Sequence, residues 1–369
     1  MRVSPQNVWP SLRFDVKAAN QVLGRFLATG FYYKTFIRPQ VLWPAYEAVL
    51  RRFSSGGVVS ADTEHGYYDK RYAHPDVLVA GGGPAGMVAA LAAVRAGARV
   101  MLVEQEHQLG GHLRWGGAEE LATLAELRQQ VSATAGLEVL TDSVVAGRYD
   151  DNWLAVVQRN LPHVDERLIK VRAKTLVVAS GLIERPYVFS GNDLPGVMLS
   201  TAARKLINLY AVKPGERAVV LTANACGDAA VEDLRSADVE VAEVLDARSG
   251  VGVIGAHGRT GVEAVEVQGR RVACDLLVTA TGWTAPTSLL NMAGDKPAYH
   301  PRAARFVPDL SALPDTVLPA GGIAGDGTLE QLIEHADAVG RAAAQRATAR
   351  AMRRSGPRSE VETPVDVPT

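Results

Sequence analysis

Cysteine is scarce in this chain of 369 residues, which contains only Cys226 and Cys274. The two lie far apart and form no C-x-x-C motif, so a redox-active dithiol of that kind is excluded. Two thiolates also cannot supply the four cysteine ligands of a usual 2Fe–2S cluster. A disulfide framework is equally unsupported, which favours a reducing, cytoplasmic setting.

An excess of charge of either sign is also absent, because 39 Lys and Arg residues balance 40 Asp and Glu residues. We therefore expect neither nucleic acid nor an anionic membrane as a partner. The longest uncharged run, residues 77–94, is interrupted by GGGP and so predicts a strand, a turn and a helix in place of a membrane span. The first ten residues lack a basic region followed by an apolar core, so no secretory signal is expected.

The segment DVLVAGGGPAG, which begins at Asp76, combines a short apolar strand with glycines in G-x-G-x-x-G spacing. The first glycine allows a tight turn, the second lets the backbone approach a pyrophosphate, and the third lets the following helix pack closely on the sheet. The N-terminus of that helix is then directed at the phosphates. The candidate residues are Gly81, Gly83, Pro84, Ala85 and Gly86.

A second predicted strand, residues 99–103, ends on an acidic residue, Glu104. A carboxylate at this position can accept both ribose hydroxyls of an adenosine, and it disfavours a 2′-phosphate, so NAD or FAD is expected over NADP. Gln105 follows as a further candidate contact. Gly110 and Gly111 then form a second glycine pair of the kind found in flavoproteins, with a plain turn before a helix as the alternative.

Further along, residues 118–131 predict an amphipathic helix with Leu121, Leu124, Leu127 and Val131 on its apolar face. A strand over residues 137–146 would carry Val144 to a position where an adenine lies along the backbone. These two predictions extend the first dinucleotide-binding unit toward the adenosine.

Two glycines about a hundred residues apart, Gly181 and Gly282, each follow an apolar strand. This spacing is typical of a Rossmann domain that is interrupted by a second, inserted domain. Gly321 and Gly322 follow the strand that we expect to close the first domain. All four glycines are candidates for lining the crevice.

Two departures from the usual pattern of two-domain flavoproteins bear on the nucleotide. Asn224 stands in TANACG where the second glycine fingerprint belongs, and its Cβ is expected to obstruct a pyrophosphate and so disfavour an NAD(P)H substrate. Gly322 stands where such proteins carry Gly-Asp, and Asp326 comes several residues late, which weakens the case for FAD. The first site is therefore predicted to hold NAD or FAD, with NAD slightly favoured.

These patterns predict an α/β protein with the two-dinucleotide-binding-domain, Rossmann-like fold of disulfide-reductase-type flavoproteins and an N-terminal aromatic-rich arm. More than half of the aromatic residues precede His74, and helices are expected there at residues 18–27 and 42–53. The arm either wraps its own domain or presents aromatics to another subunit. The predicted domains are the arm (residues 1–75), the dinucleotide-binding domain (residues 76–185 plus 285–350), the inserted degenerate domain (residues 186–284) and a flexible tail (residues 351–369).

The chain resembles the α subunit of heterotetrameric sarcosine oxidases and, more broadly, related subunits of opine oxidases, hydrogen cyanide synthases and dye-linked amino acid dehydrogenases. The resemblance runs from about Trp9 to Ala344 and rests on NVWPSLRFD, GFYYKTF, DVLVAGGGPAG, IERPYVFSGNDLPGVMLSTAAR and the degenerate second fingerprint. Larger α subunits carry an N-terminal ferredoxin-like domain and a C-terminal aminomethyltransferase-like domain. Neither is found in this sequence, so we expect a short form.

The resemblance implies a division of labour among subunits. In that family a flavin-bearing β subunit oxidises the amine, an FMN lies near the α/β interface, and the α subunit of a sarcosine oxidase holds NAD. The expected partners are such a β subunit and small ferredoxin-like or folate-binding subunits on separate chains. The expected reaction oxidises a secondary amine or amino acid to an imine that hydrolyses.

Two further hypotheses remain open: an autonomous FAD-dependent NAD(P)H oxidoreductase, and a non-catalytic scaffold whose nucleotide rigidifies a docking platform. No residue spacing justifies a catalytic base, and no metal site is predicted. Arg185 either meets an interface flavin phosphate or joins the two domains through ordinary hydrogen bonds. His112, Arg114 and Trp115 either touch the nucleotide or form the start of a helix.

Overall fold

The computed structural model describes residues 8–11, 14–19, 24, 38–54, 66–301 and 303–354. The chain divides into two compact units, Met1–His65 and Gly66–Thr369. Each unit has its own set of secondary-structure elements, and the candidate site residues all lie in the second unit.

The first unit contains two short strands that pair antiparallel, β1 (Pro10–Ser11) and β2 (Phe14–Asp15), and one α-helix, α1 (Trp43–Ser54), among its described residues. The predicted helix at residues 42–53 is therefore confirmed as α1. Most of the predicted helix at residues 18–27 lies outside the described residues.

Five parallel strands form the first sheet of the second unit, and all but the edge strand at Leu137–Leu140 are short runs buried on both faces. Their spatial order is β22 (Val317–Pro319), β10 (Thr175–Val178), β4 (Val77–Ala80), β5 (Val100–Val103) and β6 (Leu137–Leu140). Leu78 lies opposite both Met101 and Leu176. The chain reverses its direction of strand addition at β4, and ligands of open α/β sheets bind at such a point.

Helices α2 (Pro84–Arg95) and α7 (Leu329–Arg354) cover one face of this sheet. They can approach closely because α2 is rich in alanine and because α7 carries Gly340, where a Cβ would lie 2.2 Å from the carbonyl oxygen of Ala89. Helix α3 (Ala118–Ala133) packs beside α2. The predicted apolar face of α3 is confirmed for Leu124, Leu127 and Val131, which are buried, and is wrong for Leu121, whose surface is 46% exposed in the first turn of the helix.

A second layer covers the opposite face of the first sheet. It is a four-stranded sheet in the order β3 (Tyr68–Ala73), β9 (Val164–Arg172), β8 (Trp153–Leu161) and β7 (Ser143–Tyr149). Leu154 and Ile169 of this layer are fully buried against strands of the first sheet. The predicted strand at residues 137–146 is in fact two strands, β6 and β7, because Asp142 turns the chain with a φ of +48°.

The inserted part of the chain builds a second parallel sheet, in the order β12 (Val197–Leu199), β18 (Leu276–Ala280), β13 (Arg217–Thr222) and β14 (Glu240–Asp246). Helices α4 (Ser200–Tyr210) and α5 (Ala225–Ser236) pack on this sheet. An antiparallel sheet of β15 (Val253–His257), β16 (Ala264–Val267) and β17 (Arg270–Ala273) covers its other face. We call the part built on the first sheet the first domain and the part built on the second sheet the second domain.

Two short strands connect the domains, β11 (Ile183–Glu184) and β19 (Trp283–Thr284), and they pair antiparallel with each other. The return path to the first sheet then passes through α6 (Ser288–Asn291) and a hairpin of β20 (Ala298–His300) and β21 (Arg305–Val307). The end of β10, where the chain leaves the first sheet, therefore lies next to the entrance of the second domain.

Candidate functional site

The glycine turn after β4 excludes side chains at two of its positions. Gly81 has a φ of +112°, and a Cβ there would lie 2.4 Å from the carbonyl oxygen of Ala179 at the end of β10. A Cβ on Gly86 would lie 1.8 Å from the carbonyl oxygen of Gly81. Both glycines are thus required by the protein's own packing, as the motif predicts.

Gly83 differs from these two glycines. Its φ of −70° is open to any residue, and a Cβ built on it would meet only the Cα of Gly111, at 3.9 Å. The protein itself therefore does not exclude a side chain at this position. The open space beside Gly83 is a cradle that a Cβ would fill, and a pyrophosphate fits it.

Helix α2 begins at this cradle. Gly83 is its N-cap residue and provides no side-chain cap, and Pro84 occupies the first turn. The N–H groups of a first helical turn have no carbonyl partner within the helix, so they remain available to an anion. The N-terminal end of the helix dipole adds a partial positive charge at the same place.

Glu104 lies directly beside the glycine turn and only 7% of its surface is exposed. One carboxylate oxygen accepts a hydrogen bond from the Gly82 N–H at 2.6 Å, and the other accepts one from the Glu106 N–H at 2.8 Å. Each oxygen has a second lone pair that these contacts leave for a ligand hydroxyl. Gln105, the next residue, is exposed.

The second glycine pair packs against the first glycine turn. Gly110 has a φ of +130° and donates its N–H to the Gly82 carbonyl at 2.8 Å. A Cβ on Gly111 would lie 3.0 Å from the Cα of Gly83. The pair is thus a wall of the cradle, and the 3₁₀ helix Gly111–Trp115 begins from it.

Other predicted site residues lie around the same turn. A Cβ on Gly321 would lie 2.6 Å from the Cβ of Ala85, so the end of β22 contacts the first turn of α2. Gly322 lies against Leu182, and Gly181 has a φ of +68° with open space where a side chain would be. These contacts bring the ends of three strands of the first sheet together around the cradle.

Val144 follows a residue that contacts Glu104. Its neighbour Ser143 donates its N–H to the Glu104 carbonyl at 2.8 Å, and 39% of the Val144 surface is exposed. Gly282 lies elsewhere, in the loop between β18 and β19. A Cβ there would meet the guanidinium of Arg185 at 3.0 Å, so Gly282 contacts the connector and not the glycine turn.

Arg185 joins parts of the protein through ordinary hydrogen bonds. Its backbone N–H donates to the Gly282 carbonyl at 2.9 Å, and its guanidinium donates to the Ala304 carbonyl at 3.1 Å. It therefore links the connector to the turn of the β20–β21 hairpin. These contacts are those of the structural alternative raised for Arg185.

The fingerprint position of the second domain is closed by its own side chain. Asn224 is the N-cap of α5, and its side-chain oxygen accepts hydrogen bonds from the N–H groups of Cys226 and Gly227 at 3.0 and 3.4 Å. Its side-chain NH₂ donates to the Ala280 carbonyl at 2.9 Å. The donors that would bind a phosphate at a helix N-terminus are therefore already occupied.

The ribose position of the second domain is occupied as well. Asp246, at the end of β14, accepts two hydrogen bonds from Arg248, from its N–H and its guanidinium. The same guanidinium reaches Asp228 on α5 at 3.1 Å. Asp246 thus corresponds in position to Glu104 but bonds an arginine. The sequence motif alone identifies Asn224 as a departure from the glycine fingerprint. The bonds from Asn224 to Ala280 and from Arg248 to Asp228 join residues that are distant in the sequence, so the motif does not predict them.

The acidic residue that comes late in the last loop has an internal partner. Asp326 forms an ion pair of 2.7 Å with Arg305, whose side chain is only 4% exposed. Sequence reasoning named Asp326 but missed Arg305, because nothing in the pattern of β21 distinguishes a buried arginine. This pair holds Asp326 toward the β20–β21 hairpin.

The 3₁₀ helix Gly111–Trp115 is joined to the second domain. The Trp115 carbonyl accepts hydrogen bonds from Arg204 and Asn208 of α4. His112 is exposed at the surface, yet partial desolvation lowers its pKa below the ordinary value of 6.5. Glu120 opposes this shift and Arg204 adds to it. His112 is therefore mostly neutral at pH 7.

A surface cleft of about 620 Å³ lies between α2, α3 and α7 and includes Val88, Leu127 and Arg341 in its lining. It shares no residue with the glycine turns, so we do not assign it to the nucleotide. Within the described ranges, no group of three or more His, Cys, Asp or Glu residues could hold a metal ion. Among the helices of the described part, none is both long and apolar enough to cross a membrane.

Fold and site together define a class, the FAD/NAD-type flavoproteins with two Rossmann-like domains. Residues 76–183 match the FAD dependent oxidoreductase family. The structure is similar to L-proline dehydrogenase from P. horikoshii, with a TM-score of 0.64 and 22% identity over 77% of this chain and 57% of that one. It is also similar to T. acidophilum thioredoxin reductase, with a TM-score of 0.53 and 16% identity over 76% and 99% of the two chains. The predicted fold class is confirmed.

Within that class, the chain is a homologue of sarcosine oxidase subunit alpha. It is 37% identical to the protein of Rhizobium meliloti (strain 1021) over 338 residues, which are 82% of this chain and 34% of that protein. It is 35% identical to the protein of Corynebacterium sp. (strain P-1) over 276 residues, which are 70% of this chain and 28% of that protein. The predicted resemblance is confirmed, and this chain spans about a third of the length of these relatives.

Proposed function

We propose that the first domain holds an adenine dinucleotide in the cradle beside Gly83, with its pyrophosphate at the N-terminus of α2 and its adenosine ribose on Glu104. The observation that carries this proposal is the contrast among the glycines of the turn. Gly81 and Gly86 are excluded from bearing a side chain by protein atoms, whereas Gly83 is not. The protein thus leaves space for a ligand at Gly83, at the N-terminus of α2 and close to the turn that Glu104 bonds.

NAD is favoured over FAD as the nucleotide. Flavoproteins of this fold use the carboxylate of a Gly-Asp pair for the flavin's ribityl chain, and Gly322 stands in that place here. Asp326 supports this argument, because it bonds Arg305 and so is already engaged within the protein. The buried Glu104 carboxylate, for its part, opposes the charge of a 2′-phosphate.

The whole protein's role follows from its homologues, which are subunits of a multi-subunit oxidase. We propose that this chain is the nucleotide-binding subunit of a flavin-dependent complex that oxidises a secondary amine or amino acid to an imine. A separate flavin-bearing subunit would remove the hydride, with an FMN at the subunit interface. Small ferredoxin-like or folate-binding chains are further candidate partners, and the cytoplasm is the proposed location.

An autonomous FAD-dependent NAD(P)H oxidoreductase is the second candidate function, and the matched oxidoreductase family favours it. The closed fingerprint of the second domain argues against it, because Asn224 occupies the donors that an NAD(P)H pyrophosphate needs. A scaffold role is the third candidate, and it shares the proposed nucleotide site.

The first experiment is to purify the chain alone, denature it and identify the released nucleotide by absorption spectrum and mass. Release of NAD, without flavin absorbance, is the expected result. Stoichiometric FAD would overturn the preference for NAD and move the autonomous oxidoreductase to first place. Absence of any adenine dinucleotide, both as purified and after incubation with NAD or FAD, would overturn the proposed site.

The second experiment tests the subunit role. The chain alone should not reduce a dye with sarcosine, whereas the chain co-expressed with a flavin-bearing β subunit of the sarcosine oxidase type should. An Asp246→Asn variant is a useful control, since it changes only the closed second site. Dye reduction by the isolated chain would contradict the proposed division between subunits.

A further inference from the structure

Helix α4 of the second domain contacts one residue of the first domain, Trp115, through three of its side chains. The guanidinium of Arg204 and the side-chain amide of Asn208 donate to the Trp115 carbonyl at 3.2 and 3.1 Å. The ammonium of Lys205 lies over the Trp115 ring, 4.4 Å from its centre, which is a cation–π contact. Three residues of one helix thus converge on a single residue of the first domain.

The donors on α4 are themselves held in place. Arg204 forms an ion pair of 2.6 Å with Asp233 of α5, and these side chains are only 13% and 20% exposed. Asn208 donates to the same Asp233 carboxylate at 2.9 Å. Because both donors share one charged acceptor, their orientation is fixed before they reach Trp115.

The N-terminus of α4 is anchored as well. Glu184 of the connector β11 is 4% exposed, and its carboxylate accepts hydrogen bonds from the Ser200 hydroxyl and from the N–H of Thr201. The helix is therefore attached to the connector at one end and to α5 along its side. It cannot shift relative to α5 or to the connector without breaking these bonds.

Trp115 ends the 3₁₀ helix that Gly111 begins. At the other end of this five-residue helix, Gly111 lies against Gly83, with 3.0 Å between its Cβ position and the Gly83 Cα. Gly110, one residue earlier, bonds the Gly82 carbonyl. One short and rigid element therefore connects the wall of the cradle to the donors on α4.

We propose that Arg204 and Asn208 are positioning residues for the nucleotide site: the second domain, which has no open fingerprint of its own, holds the 3₁₀ helix Gly111–Trp115 and thereby sets the width of the cradle in the first domain. The inference rests on the proposed nucleotide site. It gives the second domain a role in binding without requiring it to bind a nucleotide. If the contact with α4 strengthens nucleotide binding by a given free energy, then a bound nucleotide stabilises that contact by the same free energy, because the two effects are thermodynamically linked.

The test compares the wild type with an Arg204→Lys/Asn208→Ala variant, which keeps the charge beside Asp233 but cannot make both bonds to Trp115. The probe is NAD added to nucleotide-stripped chain, with affinity measured by calorimetry. The control is Arg270→Ala in the same domain. It removes an ion pair between β17 and Glu243 on β14, the edge strand of the second sheet. We expect NAD to bind the double variant about 5- to 30-fold more weakly, and the control to stay within about twofold of the wild type.

Hydrogen exchange tests the positioning contact separately from the nucleotide site, because the variant and the wild type can be compared without nucleotide. Amides of residues 111–116 should exchange faster in the double variant than in the wild type, and NAD should slow exchange of residues 200–210 in the wild type. Equal NAD affinity of the variant and the wild type would overturn the positioning role. If the wild type binds neither NAD nor FAD, the proposed site fails, and unchanged exchange of residues 111–116 would then overturn the positioning contact on its own.

Discussion

The Glu104 carboxylate accepts a hydrogen bond of 2.6 Å from the Gly82 N–H, so the acid after β5 and the glycine turn after β4 form one bonded unit. The residue expected to bind the ribose therefore also fixes the loop expected to bind the pyrophosphate. A change at Glu104 should affect the fold of the turn and the binding of the nucleotide together.

Glu104→Gln should weaken NAD binding at least about tenfold, because a neutral amide is a weaker acceptor for ribose hydroxyls and presents an NH₂ group to one of the two backbone N–H donors. Loss of one buried acceptor should also lower the free energy of unfolding by about 1–3 kcal/mol. Calorimetry and urea denaturation measure the two effects. Glu119→Gln, at an exposed position of α3, is the matched control. Equal NAD affinity of Glu104→Gln and the wild type would argue against the ribose contact.

Gly83→Ala should leave the fold intact but reduce NAD binding about a hundredfold, since the new methyl group enters the cradle and meets protein only at 3.9 Å. Gly117 is the matched control: it is the N-cap of α3 with nearly the same backbone angles, φ −73° and ψ −177°, and Gly117→Ala should change neither property. Thermal denaturation and calorimetry decide the outcome. Undiminished binding by Gly83→Ala would show that the cradle holds no pyrophosphate.

Gly86→Ala should behave in the opposite way. Its Cβ would lie 1.8 Å from the Gly81 carbonyl oxygen, so the backbone must move, and we expect a loss of at least about 3 kcal/mol of stability. The loss should already be present without nucleotide, because the clash is with the protein's own backbone. A melting temperature within a degree or two of the wild type would contradict the packing at this turn.

Asn224→Ala should destabilise the protein by about 1–2 kcal/mol, because it removes the cap from the N–H groups of Cys226 and Gly227. Asn224→Ser retains a cap oxygen and should recover most of the loss. Urea denaturation monitored by far-ultraviolet circular dichroism measures both variants. Identical stability of the alanine and serine variants would indicate that the cap is unimportant.

The two cysteines should differ in reactivity. Burial raises the pKa of the Cys274 thiol to about 11, and Asp275 adds to this, whereas Cys226 is partly exposed. An Ellman titration at pH 8 should therefore detect one thiol in the native chain and two in urea. A Cys226→Ser variant should show none until it unfolds, and rapid labelling of that native variant would contradict the buried position of Cys274.

The raised pKa of the Cys274 thiol also predicts how the free energy of unfolding depends on pH. The unfolded thiol loses its proton near its ordinary pKa of 9.0, while the folded thiol keeps it up to about 11. The folded state thus binds more protons in this interval, so the contribution is complete below pH 9 and is lost as the pH rises toward 11, up to about 3 kcal/mol. A Cys274→Ala variant should show a shallower decline in the free energy of unfolding over this interval.

Much of the first domain could be predicted from local pattern, because a strand, a glycine turn, a helix and an acid follow one another within 30 residues. The helix predicted after the glycine turn corresponds to α2, and the apolar strand predicted before Gly181 corresponds to β10. Each of these elements is specified by side chains close to it in the sequence. The residue boundaries of the domains and the binding role of the site residues stay predictions.

The errors occurred where distant contacts or single backbone angles decide the structure. The positive φ of Asp142 divides one predicted strand into two, and the exposure of Leu121, in contrast to the burial of Leu124, depends on where α2 lies. Gly282 follows an apolar strand like the other candidates, yet that strand belongs to the second sheet. The contacts of Arg204 with Trp115 join residues 89 positions apart, and no local pattern indicates them.

The antiparallel pairing of β11 with β19 has an evolutionary consequence. The chain enters and leaves the second domain at neighbouring positions, with Glu184 opposite Trp283. All five strands of the first sheet come from residues before β11 or after β19. The whole inserted domain can therefore be replaced by another domain without removing any of these strands. A domain attached in this way can change its own surface through mutation while the sheet that carries the glycine turn remains complete.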